Sequence, residues 1–248
     1  MIKLENVSKV FKVKESRKQF VKIALNDISF VINDGETVGL VGANGSGKST
    51  LLKVLSTLYQ PSVGKVYIDG KDIFLNSDES KKKLGVLFGG DSGLYPNLTA
   101  YENIEYFGKL NGLSEQEIRH NIAHYSQFFS MEDYINRRVA NFSRGMKQKV
   151  CFLRSIVHNP QIVILDEPST GLDVAGIEEV AQFIKYHQDL KKTIIISSHN
   201  INEISRLCQK IIILKAGNLM YFGDLQPLIS DKSFNEVYKL MGVSDENL

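Results

Sequence analysis

A mixed α/β fold, with a helical stretch inserted between its later strands, is predicted by three observations on this 248-residue chain. The first is a set of short runs of Val, Ile and Leu that are apolar almost throughout. Runs of that kind suit strands buried on both faces of a parallel or mixed sheet covered by helices. The second is a change of texture from Asn97 to Pro160, where helix formers dominate. The third is a glycine-rich turn, residues 42–50, between one apolar run and a helix-like segment.

The strands are expected at 37–41, 65–68, 84–88, 162–165, 193–197 and 211–214. Between the third and fourth, Thr99-Ala100-Tyr101-Glu102 and Ser114-Glu115-Gln116-Glu117 both read as capping boxes. In such a box a hydroxyl and a carboxylate satisfy two otherwise unpaired helix N–H groups. They predict helices ending near Leu110 and near Phe128. The chain is read as one domain: residues 1–88 and 160–224 form the core, 89–159 a helical insert, and 225–248 a C-terminal helix. In that last helix Leu225, Leu228, Ile229, Val237 and Leu240 are expected on the core side. The basic stretch from Lys12 to Lys22 is expected to be a solvated loop.

Composition narrows the function classes. With 43% hydrophobic and 23% charged residues, the chain has ordinary globular usage, which speaks against disorder and fibrous repeats. Lys plus Arg number 30 and Asp plus Glu 28, a net charge of +2, where a dedicated nucleic-acid binder usually carries a clear basic excess. Two cysteines, Cys151 and Cys208, are too few for a disulfide framework or a cysteine zinc site and fit a reducing compartment. The first residues lack the pattern of a signal peptide. No apolar run approaches the roughly 20 residues of a spanning helix.

The chemistry begins at the glycine-rich turn. Gly42-Ala43-Asn44-Gly45-Ser46-Gly47-Lys48-Ser49-Thr50 matches G-x-x-x-x-G-K-[ST] in full, with an apolar strand before it and a helical segment after it, as a phosphate-binding loop requires. Glycines let the backbone turn its N–H groups toward a phosphate, and the following helix adds partial positive charge. Gly42, Asn44, Gly45, Ser46, Gly47, Lys48, Ser49 and Thr50 are therefore the candidate nucleotide-binding residues. Lys48 would reach the β- and γ-phosphates, and the Ser49 hydroxyl would hold Mg²⁺. The apolar run 162–165 ends in Asp166-Glu167. That pattern suits a metal-binding carboxylate, Asp166 acting through water, beside a base, Glu167, that orients and polarises an attacking water. The next strand runs into Ser198-His199. His199 thus stands past the carboxyl end of a strand, where open α/β sheets bind ligands, and could bond a γ-phosphate. His120, His124, His158 and His187 are assigned no role.

These motifs, taken with two more, resemble the ATPases of ABC transporters over nearly the whole chain. Asn141-Phe142-Ser143-Arg144-Gly145-Met146-Lys147-Gln148 resembles that family's signature, usually Leu-Ser-Gly-Gly-Gln, and Ser169-Thr170-Gly171-Leu172-Asp173 resembles its D-loop. The resemblance implies a P-loop NTPase core with a mixed sheet, an N-terminal antiparallel β portion and an inserted helical subdomain. It also implies two such domains facing head to tail, ATP being held between the phosphate loop of one and the signature of the other. Ser143, Gly145 and Asp173 would serve the nucleotide of the opposing subunit, and Phe11, with Phe20 as a second candidate, would stack on adenine. Two features depart from the family pattern. Arg144 and Met146 replace a glycine and a glutamine of the signature. The stretch Phe88-Gly89-Gly90-Asp91 lacks the family's Q-loop glutamine, leaving Asp91 as a substitute.

Leu55-Ser56-Thr57-Leu58, Gly93-Leu94-Tyr95, Asn97-Leu98-Thr99, Glu102-Asn103 and the signature region are similar to exporters of the NatA-like type, in which ATPase and permease are separate chains. The glycine-rich stretch 89–93 and the basic segment are also similar to teichoic acid and polysaccharide export ATPases. The NatA-like resemblance implies ATP and Mg²⁺ as cofactors, an integral membrane permease and a second ATPase domain, expected as a homodimer, as partners, no nucleic acid, and a cytoplasmic position on the inner face of the cell membrane. Tyr95, Leu98, Tyr101 and Phe107 are candidates for a groove that receives the permease. The competing class is a soluble ABC-type ATPase acting on ribosomes or DNA. Relatives of that class carry two ATPase domains, or long coiled-coil or zinc inserts. This chain has one phosphate loop and a plain stretch from Lys48 to Ser143. A GTPase would need an Asn-Lys-x-Asp motif, which the chain lacks.

Overall fold

The computed structural model describes residues 1–15, 18–89, 93–229 and 234–241, giving the backbone only for 13–15, 18 and 19. In chain order, strands β1 (Ile2–Glu15) and β2 (Lys18–Ile32) precede β3 (Thr37–Val41) and helix α1 (Lys48–Leu55). Then come β4 (Val63–Ile68), β5 (Lys71–Asp72), α2 (Ser77–Lys82), β6 (Leu84–Leu87), α3 (Ala100–Leu110), α4 (Glu115–Phe128) and α5 (Arg144–Ile156). The last third holds β7 (Ile162–Asp166), α6 (Val174–Asp189), β8 (Thr193–Ser197), α7 (Ile201–Leu207), β9 (Lys210–Lys215), β10 (Asn218–Asp224) and α8 (Asn235–Met241). The fold class is mixed α/β, with one antiparallel sheet and one mixed sheet.

The chain forms two compact units. The first joins Met1–Lys81 with Ile195–Leu248. It holds the antiparallel sheet β2-β1-β4-β5 and, of the mixed sheet, β10-β9-β3. β3 is buried at all five positions and pairs in parallel with β9, Val38 opposite Lys210 through Val41 opposite Ile213. A strand buried on both faces favours a near-continuous run of apolar residues, which is why this segment does not alternate. The second unit is Lys82–Ile194. In it β6 and β7 run parallel, Leu84 opposite Ile162 through Leu87 opposite Leu165. Its core is aromatic: Phe152 from α5 lies 4.7 Å from Phe183 of α6 and 4.9 Å from Phe129, which closes α4.

Both predicted capping boxes form, Thr99 with Glu102 on α3 and Ser114 with Glu117 on α4. Each such cap is worth about 1 kcal/mol. α3 and α4 approach closely, since a methyl group on Gly108 would fall 2.7 Å from Ile118 Cγ1.

Two expectations differ from the structure. The basic stretch is not a loop but the far end of a long hairpin, with Phe11 opposite Lys22, Lys12 opposite Val21 and Glu15 opposite Lys18. Its β-branched residues hold a ladder even where Phe20, Val21 and Ile23 stay exposed, as β-propensity allows on an open face. The tail is not one helix either. A short 3₁₀ turn over Gln226–Leu228 ends at Ile229, and α8 begins at Asn235. Leu225, Leu228 and Val237 are buried as expected, but the polar run Ser230-Asp231-Lys232-Ser233 interrupts the apolar period between them.

Candidate active site

In the first unit the turn after β3 is a backbone cradle. Gly42, Gly45 and Gly47 have φ of 156°, 80° and 110°; the last two lie in the left-handed region that favours glycine. Space is as decisive as torsion. A methyl on Gly42 would meet the Leu214 carbonyl at 2.4 Å, and one on Gly47 the Ala24 carbonyl at 2.6 Å, whereas beside Gly45 the space is open. The cradle is also tied down, for the Gly217 N–H donates to the Ser46 carbonyl at 2.9 Å. Lys48 opens α1 and folds back, its Nζ donating to the Gly42 carbonyl at 2.6 Å and to that of Ala43 at 3.4 Å. Its ammonium is thus held within the turn, as cradling a multiply charged anion requires. The Ser46 hydroxyl is buried without a hydrogen-bond partner, a cost of the order of 1–3 kcal/mol that a ligand oxygen would remove. Asn44 and Ser49 are exposed and Thr50 half-buried at the mouth and on the first turn of α1.

His199 belongs to the same unit. It is exposed between β8 and α7. The Ser198 N–H donates to the Leu40 carbonyl of β3 at 3.4 Å. The Ser198 hydroxyl donates to Glu203 at 2.5 Å and accepts the Asn200 N–H at 3.0 Å. The histidine turn is therefore pinned to the strand that feeds the cradle. Phe11 is half-buried on β1. Its ring meets Tyr59 edge-on with centroids 5.5 Å apart, and Lys9 Nζ lies 5.2 Å from the ring centre. Phe20 is 49% exposed and pairs with Val13 farther out on the hairpin.

In the second unit β7 ends in half-buried Asp166 and Glu167. Glu167 has φ 50°, a left-handed conformation that costs a non-glycine residue of the order of 1 kcal/mol and is typical of functional turns. Thr170 Oγ1 donates to its carboxylate at 3.3 Å and the Thr170 N–H to its carbonyl at 3.1 Å. Asp173 caps α6, accepting the Gly176 N–H at 2.8 Å. Ser143 caps α5, its hydroxyl accepting the Met146 N–H at 3.2 Å, so Ser143, exposed, and Gly145, half-buried, lie at the N-terminal end of a 13-residue helix. Asp91 lies outside the described residues. Before it, a methyl on Gly89 would lie 3.5 Å from the Asp166 carbonyl, so the segment after β6 runs close to the acidic pair.

Sequence reasoning missed three supports. Gly217, in the turn between β9 and β10, holds the cradle through a single N–H that no motif announces. Glu203 fixes the turn of His199 one helical turn downstream. Gln148 donates from α5 to the Pro168 carbonyl at 3.3 Å, a buried bond just past Glu167. Among the described residues no group of three or more His, Cys, Asp or Glu could hold a metal alone. Ser49 in the first unit and Asp166 in the second each carry an oxygen donor of the hard kind that Mg²⁺ accepts.

A family model described as ABC transporter matches residues 25–170. The ABC transporter ATP-binding protein NatA of Bacillus subtilis is 43% identical over 92% of this chain and 91% of its own length. The methionine import ATP-binding protein MetN 1 of Listeria monocytogenes is 32% identical over 98% of this chain and 72% of its own. Among solved structures, a dimeric ATP-binding cassette in a post-hydrolysis state with ADP and Pi superposes with a TM-score of 0.81 at 32% identity, covering 91% of this chain and 99% of that one.

Proposed function

The chain belongs to the ABC transporter family and is an ATPase of that family, and from that premise we propose that it drives an exporter whose membrane-spanning part is a separate chain. The observation that carries the nucleotide-binding part of this reading is the cradle, with an ammonium and an unpaired buried hydroxyl in a glycine-lined turn. Lys48 and the N–H groups of residues 44–50 would bind the β- and γ-phosphates of ATP, and Phe11, rather than the outlying Phe20, would stack on adenine. Ser49 and, through water, Asp166 would hold Mg²⁺, which when bound neutralises charge on the β- and γ-oxygens. Glu167 would accept a hydrogen bond from the attacking water and turn its oxygen toward the γ-phosphorus. The bond from that phosphorus to the β-bridging oxygen then breaks and ADP leaves. His199 would hold the γ-phosphate from its turn at the end of β8.

Hydrolysis needs a second copy. Ser143, Gly145 and Asp173 would face the nucleotide of an opposing chain head to tail, so that ATP closes the pair and its hydrolysis releases it. The positive end of α5 favours that arrangement. Residues 89–159 would form the insert that receives the permease, at the inner face of the cell membrane. Export is the proposed direction, supported by the stretches of the sequence that resemble exporter ATPases, Leu55–Leu58, Gly93–Tyr95, Asn97–Thr99 and Glu102-Asn103.

The test replaces the proposed base. Glu167→Gln should keep ATP binding, slow hydrolysis by about 100-fold or more and trap a dimer visible by light scattering. A chain that stays monomeric at saturating ATP and Mg²⁺ would count against the closed pair.

A further inference from the structure

We propose that Arg144, one of two residues that depart from the family's signature, is a positioning residue that locks the loop after Glu167 onto the N-terminus of α5, so that the two surfaces offered to a second copy move as one. The inference rests on the reading above for what those surfaces contact. Its geometry stands within one unit. Gly171 has φ 82°, and a methyl group there would lie 2.8 Å from Arg144 Nε, 3.1 Å from Cδ and 3.2 Å from Cζ. The arginine therefore lies across the bare face of Gly171, filling the space a side chain would need. With a glycine at 144, as in the usual signature, those three nearest atoms would be missing from that face.

Two further ties run the same way along α5. One turn on, Gln148 donates to the Pro168 carbonyl at 3.3 Å. Next to it Lys149 pairs with Glu179 of α6 at 2.6 Å, both side chains 17% exposed. Arg144 closes the end of this seam nearest the helix terminus. The loop 169–173 also carries its own turn hydrogen bonds and the Asp173 cap, and a methyl on Gly145 would lie 3.7 Å from the Gly171 carbonyl and from Leu172 Cδ2, so Arg144 adds to contacts that already touch α5. The geometry fits positioning rather than ligand contact. The guanidinium stem lies on Gly171, and Ser143 and Gly145 stand on either side of Arg144 in sequence.

The test compares Arg144→Ala, Arg144→Lys and Gly171→Ala with the wild-type chain, all four with and without ATP. Without nucleotide, hydrogen exchange of the peptide covering 168–176 should quicken several-fold in Arg144→Ala and Gly171→Ala, while the peptide covering 42–50 is unchanged. With ATP, kcat should fall roughly tenfold, as a small misplacement of a reacting partner does, with KM within about twofold, and Arg144→Lys should recover part of the loss. Unchanged exchange at 168–176 overturns the proposal, whatever the chain does with ATP. A raised KM at constant kcat also overturns it, because it would make Arg144 a nucleotide contact. Failure of the functional reading itself is seen separately, as wild-type turnover that survives Lys48→Ala.

Discussion

Lys48 shows how much one side chain can carry. It is only 8% exposed, and two of its partners are carbonyls of the turn it closes, so its ammonium is held ready for phosphate. Lys48→Ala should therefore reduce ATP affinity by at least about 100-fold and abolish turnover, since in this loop the lysine bridges the β- and γ-phosphates. The effect on folding should be small, because the carbonyls left behind can accept water. Equilibrium binding of a fluorescent ATP analogue, read beside a thermal melt, checks both halves, and undiminished turnover would remove Lys48 from the site. The cradle was legible because its nine residues are consecutive and its torsions are dictated by glycine. The positions of Asp166, Glu167 and His199 were legible because each lies at or within two residues of a strand end. Arg144 was visible only as a deviation, since its meaning depends on Gly171, which is distant in sequence. The hairpin register, which sets Phe20 farther out than Phe11, is not revealed by a run of Lys and Val.

Among the elements, α4 and α6 meet through a buried histidine. His187 is 2% exposed. Its ring lies 3.9 Å from that of Phe183 and 5.7 Å from that of Tyr125, and Nδ1 bonds the Phe183 carbonyl at 3.0 Å. Burial pushes its pKa down to about 4, helped by the nearby Lys192 and His124 and opposed by the bond to Phe183. The folded ring is thus neutral where an unfolded imidazole, near pH 6.5, is already taking up a proton. The unfolded chain binds more protons between about pH 6.5 and 4, so stability falls as pH falls through that window, by up to about 1.4 kcal/mol per pH unit. Removing the titrating group should flatten the slope. Between pH 7 and 5 the Tm of His187→Phe should drop by several degrees less than that of the wild type, and equal drops would show that the acid sensitivity lies elsewhere. This packing was not legible, because four histidines in helices look alike in sequence. The helices themselves were, since each capping box is a local four-residue pattern. The hairpin and the divided tail were not. Basic residues disguise the hairpin's alternation, and the polar run 230–233 was outweighed by the apolar residues on either side.

At the scale of the whole molecule, the proposed partnership makes the sharpest demand. Among the described residues no helix is long and apolar enough to cross a membrane, and the proposed permease would be held through a surface. The insert offers one. Tyr95 is 47% exposed and Tyr106 42%, their rings edge-on at 5.5 Å, and Leu110 is 63% exposed at the end of α3. Of the groove residues named from sequence, Leu98, Tyr101 and Phe107 are half-buried, and Phe107 lies beneath the Arg154 guanidinium at 4.6 Å. An apolar, aromatic contact of this kind should survive salt, whereas attraction to nucleic acid weakens steeply with it, and a net charge of +2 offers little of the latter. A tagged chain drawn from detergent-solubilised native membranes should therefore retain one integral membrane protein at about 0.5 M salt, well beyond the range of surface electrostatics. Tyr95→Glu together with Tyr106→Glu should release that protein while leaving ATP turnover of the isolated chain within about twofold, since neither ring belongs to the nucleotide residues. Ribosomes in place of a membrane protein would reverse the proposed partnership, and a membrane protein that stays bound to the double variant would move the docking surface off α3.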